Sequence, residues 1–186
     1  MKSLASIALV LLTACSDDLT FEVREADGDL RFDGGETSGS WIERDGVSEI
    51  RLQRIEPGDP RVGDSSWSVT LLVAVDTDAL VAGAEIPVRG TMSYENLNTS
   101  ANRAPELVSW SSVDPESPVR EAVLFAQCFC PARRGAETQE HDLVLRIDTV
   151  GARLRGRVEG RVIGAAGFTI GPESFDVVGD FALARE

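Results

Sequence analysis

Three side chains in this sequence carry chemistry that folding could bring together: Cys128, Cys130 and His141. Thiolate and imidazole suit copper(I) or zinc, so the trio is a candidate metal site. The four-ligand spacing of structural zinc is absent, however, and a lone His is commonly a polar surface residue. In an oxidising compartment Cys128 and Cys130 are most simply a disulfide. Residues two apart in a straight strand have Cα atoms about 6.6 Å apart, near the limit of disulfide reach, and Pro131 could bend the segment enough to close it. A second arrangement is the row Arg153, Arg155, Arg157 and Arg161, four guanidinium groups on one strand face able to grip a carboxylate, a phosphate or an acidic polysaccharide. Glu159 interrupts that row and acids crowd the neighbouring segments, which favours a solvated face over a binding surface.

The aromatic residues Trp41, Trp67, Trp110 and Tyr94 could supply stacking surfaces for a sugar or a partner protein. Trp67 is expected in the core. Tyr94 and Trp110 border the most loop-like stretch, and Trp110 is the best candidate for an exposed ring, although packing beneath a loop is the simpler expectation. Hydrolysis would need a nucleophile beside a base or a positioned carboxylate pair. The chain has one His and no nucleophile-elbow, metalloprotease or phosphate-loop motif. No catalytic residue and no cofactor is assigned.

The amino terminus has a separate logic. Lys2 supplies a short cationic start, Leu4 to Leu12 an apolar stretch, and Thr13-Ala14 a small-residue approach to Cys15. That order is the layout of a secretory signal, and the apolar stretch is far short of the roughly 20 residues needed to cross a bilayer as a helix. Leu12-Thr13-Ala14-Cys15 also resembles the lipobox of bacterial lipoproteins. The resemblance covers these residues alone. It implies transfer of diacylglycerol to the Cys15 thiol, cleavage before Cys15, and acylation of the new amino terminus; the alternative is an ordinary secretory signal that happens to hold a Cys. Two or more acyl chains anchor stably where one binds only marginally. Ser16, rather than an Asp, follows the lipid Cys, which by the same resemblance favours the outer membrane over the inner membrane.

Residues 1–14 are therefore expected to be removed, 15–18 to form a lipidated start and short tether, and 19–186 to fold as a single β domain. The net charge of −13 includes Lys2, the one lysine, so the exported chain is more acidic still. Such a field repels nucleic acid phosphates and anionic headgroups, and nucleic acid is not an expected partner. The expected role is a non-enzymatic binding or structural module at the bacterial cell envelope, tied to membrane lipid through Cys15 and contacting an envelope protein or glycan. The alternative is a metal-handling protein or enzyme using Cys128, Cys130 and His141.

The elements that must position these residues read as strands. Alternation at period two recurs along the chain, and no long segment shows helical spacing. Phe21 and Val23 pair with Leu30 and Phe32 about Asp27-Gly28; Trp41-Ile42 and Ile50-Arg51-Leu52 pair about Asp45-Gly46. Trp67 to Val75 is a central strand buried on both faces, and Asp76 to Ala82 adds at most a helical turn before Ile86 to Tyr94. Glu95 to Pro118 reads as a long, ligand-facing loop with one short strand at Leu107 to Trp110. Val119 to Cys128 is a strand. His141 to Ile163 reads as a hairpin about Val150-Gly151 with Ile147 opposite Leu154, Leu143 opposite Val158 and Asp148 opposite Arg153. Phe175, Val177, Gly179, Phe181 and Leu183 share one face of the last strand. The expectation is an all-β fold, an antiparallel β-sandwich of about nine or ten strands, with a β-barrel as second choice.

Overall fold

Period-two alternation lays the chain out as ten strands in a computed structural model that describes residues 19–25, 35–56, 67–96, 106–128, 135–164 and 174–186. In chain order these are β1 (Thr20–Glu25), β2 (Glu36–Arg44), β3 (Val47–Glu56), β4 (Trp67–Asp76), β5 (Glu85–Asn96), β6 (Glu106–Ser112), β7 (Val119–Cys128), β8 (Gly135–Thr149), β9 (Arg153–Ile163) and β10 (Ser174–Ala184). They form a six-stranded sheet, β1-β10-β9-β8-β5-β6, and a four-stranded sheet, β2-β3-β4-β7, every neighbouring pair antiparallel. The sheets face one another as a sandwich and are not closed into a barrel. Among the described residues one 3-10 turn, Thr77–Ala79, lies where the sequence allows a helical turn.

The apolar set of each strand fills the space between the sheets. Phe21, Leu52, Leu71, Leu124, Leu143, Leu145, Ile147, Leu154 and Phe175 are all fully buried there. Removing that much apolar surface from water is the main force holding the sheets together. β4 is buried on both faces as expected: Val69, Leu71, Val73 and Val75 enter the main core, while Thr70 and Ala74 are buried on the other side. There Leu72, Val123 and Phe125 form a second cluster with Met92 and Trp110.

Asp45-Gly46 turns β2 into β3 as the sequence requires. Arg44 pairs with Val47, and both turn residues have positive φ, 52° and 80°, the geometry in which a two-residue loop matches strand twist. Trp41 pairs with Ile50 as read from the sequence. One side of the sandwich is then closed by the carboxyl end of the chain, where Arg185 forms a parallel bridge with Trp41 and the Glu186 N–H donates to the Trp41 carbonyl at 3.0 Å.

Two expectations are corrected. In the β8–β9 hairpin Ile147 lies opposite Gly156, Leu145 opposite Val158 and Leu143 opposite Gly160, an offset of two residues from the expected pairing. A bulge between Ile147 and Thr149 absorbs Asp148, so Asp148 does not face Arg153. The offset is even, which leaves every side chain on its expected face. Its physical reason is a large-small fit: Gly156 sits between Ile147 and Phe181, with the Phe181 ring across it, and a Cβ there would lie 2.1 Å from the Arg146 carbonyl oxygen. The second correction concerns the bounds within Glu95 to Pro118: the strand expected at Leu107 to Trp110 is present and longer, as Glu106–Ser112, and Glu95 and Asn96 are strand rather than loop. β5 runs on to Asn96 and pairs on both sides, while β6 is the edge strand beside it. Ser109 and Ser111, two of the polar residues that suggested a loop, are on the exposed face of that edge strand.

β1 pairs with β10, Phe21 opposite Gly179. Its expected partner, Leu30 and Phe32 about Asp27-Gly28, lies outside the described residues, as do Met1 to Asp18 with Cys15, and Cys130 with Pro131.

Candidate functional site

Directions along the strands give the sandwich two unlike poles. Antiparallel pairing within each sheet, with the parallel bridge between Trp41 and Arg185, fixes which strand ends lie together. At one pole lie four connections of two to eight residues: Asp45-Gly46, 77–84, 113–118 and 150–152. Direct bonds tie them together, with the Thr77 N–H donating to the Gly46 carbonyl at 2.8 Å, Gly83 to Ile147 at 2.7 Å and Asp76 to Pro118 at 2.9 Å. β1 starts with Thr20 opposite Asp180 and runs away from this pole, so its amino-terminal end faces this pole. At the other pole lie five connections, between Glu25 and Glu36, Glu56 and Trp67, Asn96 and Glu106, Cys128 and Gly135, and Ile163 and Ser174, four of them nine or ten residues long.

The arginine row lies on the outer face of the six-stranded sheet and is woven into acids. Arg157 Nε donates to Glu159 at 2.9 Å and its Nη1 to Asp180 at 3.0 Å; Arg161 Nε donates to Asp176 at 2.9 Å. Arg146, directly across from Arg157, also bonds Glu159 and reaches Glu85 at 3.0 Å. Hydrogen bonds from Arg146 and Arg157 hold the Glu159 carboxyl below its usual range, and the same bonds push both guanidinium groups up. Arg153 and Arg155 are exposed on the same strand. The face is an ion-pair lattice, the solvated reading that Glu159 and the nearby acids favoured, and Arg157 and Arg161 have their donors directed at the protein's own carboxylates.

His141 is buried, which corrects its reading as a polar surface residue. It extends the inward set Leu143, Leu145, Ile147 by one step, and Gln139 extends it by another. β7 ends the four-stranded sheet, so the outward N–H and C=O of Leu124 have no strand beside them. The Gln139 amide takes that place: its Nε2 donates to the Leu124 carbonyl at 2.5 Å, and its Oε1 accepts from the Leu124 N–H at 3.1 Å. His141 Nε2 lies 3.1 Å from the same Oε1. An amide oxygen carries no proton, so Nε2–H is the donor and Nδ1 is left unprotonated. Among the described residues Nδ1 has no hydrogen-bond partner. Burial pushes the imidazole down to about 4, so it is neutral at physiological pH.

Trp110 and this imidazole pack as a T-shaped pair, the ring centroids 5.5 Å apart, and Trp110 lies over Gly90, where a Cβ would come within 2.6 Å of the ring. It joins the two apolar clusters, the packing role expected of it in preference to recognition. Trp41 is likewise buried, its Nε1 directed at Ser48 Oγ at 3.4 Å with the Arg185 guanidinium 5.9 Å from its ring centre. Tyr94 and Trp67 pair through backbone with Glu137 and Cys128. Of the side chains of Cys128, Cys130 and His141 the structure describes only the imidazole, whose Nε2 is committed to Gln139. The disulfide reading turns on Cys130, outside those residues. No helix among the described residues is long and apolar enough to cross a membrane.

Sequence reasoning missed Gln139, whose inward position follows from the β8 alternation but whose partner, Leu124, is set only by sheet packing. Searches against protein-family models, curated proteins and solved structures give no match for this chain.

Proposed function

We propose that the chain is a lipid-anchored, non-enzymatic protein of the bacterial envelope whose sandwich holds its longer connections away from the bilayer for contact with a protein or glycan. The observation that carries this reading is the polarity of the strands. β1 begins at the pole of the Asp45-Gly46 and Val150-Gly151 turns, where a short tether from Cys15 would join it, and the four longest connections, of nine or ten residues, all start and end at the opposite pole. Loops on a rigid β scaffold are where recognition usually resides. Within the stretch Glu95 to Pro118, the part joining Asn96 to Glu106 belongs to this distal pole, whereas Val113 to Pro118 does not. The resemblance of Leu12-Thr13-Ala14-Cys15 to a lipobox supplies the anchor, and Ser16 favours the outer membrane.

A photocrosslinking residue at Ile55 or Ile163, both exposed near the distal ends of β3 and β9, tests the contact in intact cells. Adducts from these positions, with none from Arg155 on the outer sheet face, are the expected result; the reverse pattern sinks it. Fractionation of Cys15→Ala tests the anchor separately, and a substituted protein that stays with membranes overturns it.

A further inference from the structure

We infer that the anchor-side pole rests on the bilayer itself through two uncharged loops, Leu80–Ala84 and Thr149–Ala152, whose valines Val81 and Val150 enter the interface between headgroups and acyl chains. The inference deepens the lipid-anchor reading above and rests on it. Val81 is 55% and Val150 41% exposed, in a protein whose other large apolar side chains are mostly buried. The two loops are neighbours: the Gly83 N–H donates to the Ile147 carbonyl at 2.7 Å, and the Ile147 N–H donates to the Ala84 carbonyl at 2.9 Å. Leu80, buried beneath, fixes the first loop to the core. Neither loop carries a charge, although 26% of the chain is charged. Exposed apolar tips side by side at one pole call for a cover.

The tether identifies that cover. From Thr20, opposite Asp180, four residues of β10 remain before it ends at Ala184, about 14 Å at strand rise. The five residues from Cys15 to Leu19 span at most about 17 Å when fully extended. An acylated Cys15 therefore reaches the plane of the tight turns with about one residue to spare, and the pole cannot stand clear of the surface into which the acyl chains insert. Sideways, β1 is separated from β8 by β10 and β9, so three strand spacings, about 14 Å, lie between the tether and the Val150 turn. Two valine tips are too small a contact to hold the protein unaided. Tethering keeps them at high local concentration against the bilayer, which lets a weak contact fix the orientation of the domain. Asp78, Glu85 and Asp148 border the loops, three acids against the one cation Arg153, so a zwitterionic surface suits this pole and an anionic one opposes it. Val113, 77% exposed in another turn of this pole, is followed by Asp114 and close to Glu116 and is not part of the proposed contact.

The test uses the acylated full chain in phosphatidylcholine vesicles containing a trace of lipid with a photoactivatable diazirine near the headgroup end of its acyl chain. Adducts are mapped by mass spectrometry. Expected are adducts within 80–84 and 149–152, few at Ile55 and Ile163 of the far pole, and severalfold fewer at both loops when phosphatidylglycerol is added. Val81→Ser with Val150→Ser, or the corresponding Asp pair, should also cut loop adducts severalfold while the protein still floats with the vesicles. Floating protein with no loop adducts, or with adducts spread equally over both poles, overturns the orientation and leaves the anchor standing. Loops protected from hydrogen exchange but free of lipid adducts indicate a protein cover and overturn it too. Protein that does not float overturns the anchor, and the orientation falls with it.

Discussion

Removing the Gln139 amide leaves the Leu124 N–H and C=O at the bare edge of β7 and strips His141 Nε2 of its acceptor. A buried polar group left unsatisfied costs about 1–3 kcal/mol, so Gln139→Leu, close in size but mute, is expected to cost about 3–5 kcal/mol in denaturant unfolding. A loss below about 1 kcal/mol would mean that water replaces the amide easily. His141 adds a pH dependence. Its folded-state pKa lies near 4, below the ordinary 6.5, because burial disfavours the charged ring. Between those values the unfolded chain binds the extra proton, so this group's contribution is fully present above about 6.5 and lost as pH falls toward 4, up to about 3 kcal/mol. His141→Phe should flatten the stability curve through that window relative to the unsubstituted protein. Equal slopes for the two would show that the imidazole is solvated.

Between strands, the tightest constraint is the fit of Gly156 under Phe181 and against the Arg146 carbonyl. Gly156→Ala brings a methyl group into that backbone oxygen and is expected to cost about 1–3 kcal/mol, the usual penalty of overpacking, measurable as a lower unfolding midpoint. If the midpoint is unchanged, β8 and β9 separate more easily than the packing implies. This pair also marks how far the sequence can be read. The faces of β8 and β9 were legible because inward and outward residues alternate, and the Asp45-Gly46 hairpin because its turn is a local signal. The register was not, because the bulge at Asp148 and the fit with Phe181 depend on β10, outside the hairpin. Nor was the β1–β10 pairing, since Phe21 and Gly179 meet only when the two ends of the chain come together. His141 and Gln139 show a further limit: alternation from Ile147 places both inward, while their polarity argues for the surface, and only the unpaired edge of β7 resolves the conflict. The role proposed for Cys15 rests on the sequence alone, since Cys15 lies outside the described residues.

For the whole molecule the question is whether the ion-pair lattice on the outer sheet face holds the fold together. Its members are largely exposed, Arg161 and Asp176 at 54% and 46% of their side-chain surface for example, and pairs of this kind are worth about 0–1 kcal/mol each. Opposing them is a net charge of −13 spread over one small protein, which repels itself. At about 0.5 M salt both effects are screened, and the long-range repulsion should be the larger loss because the pairs contribute so little. Thermal unfolding at neutral pH is therefore expected to shift upward by a few degrees, or not at all, between low and high salt. A clear downward shift would show that the lattice is a stabilising network. Because Arg157 and Arg161 already spend their hydrogen bonds on Glu159, Asp180 and Asp176, the same reasoning predicts that Arg155→Glu with Arg157→Glu leaves affinity for anionic envelope glycans unchanged. A partner that is itself basic should instead associate more slowly as salt rises, since the acidic field that repels phosphates and anionic headgroups is what would draw it in.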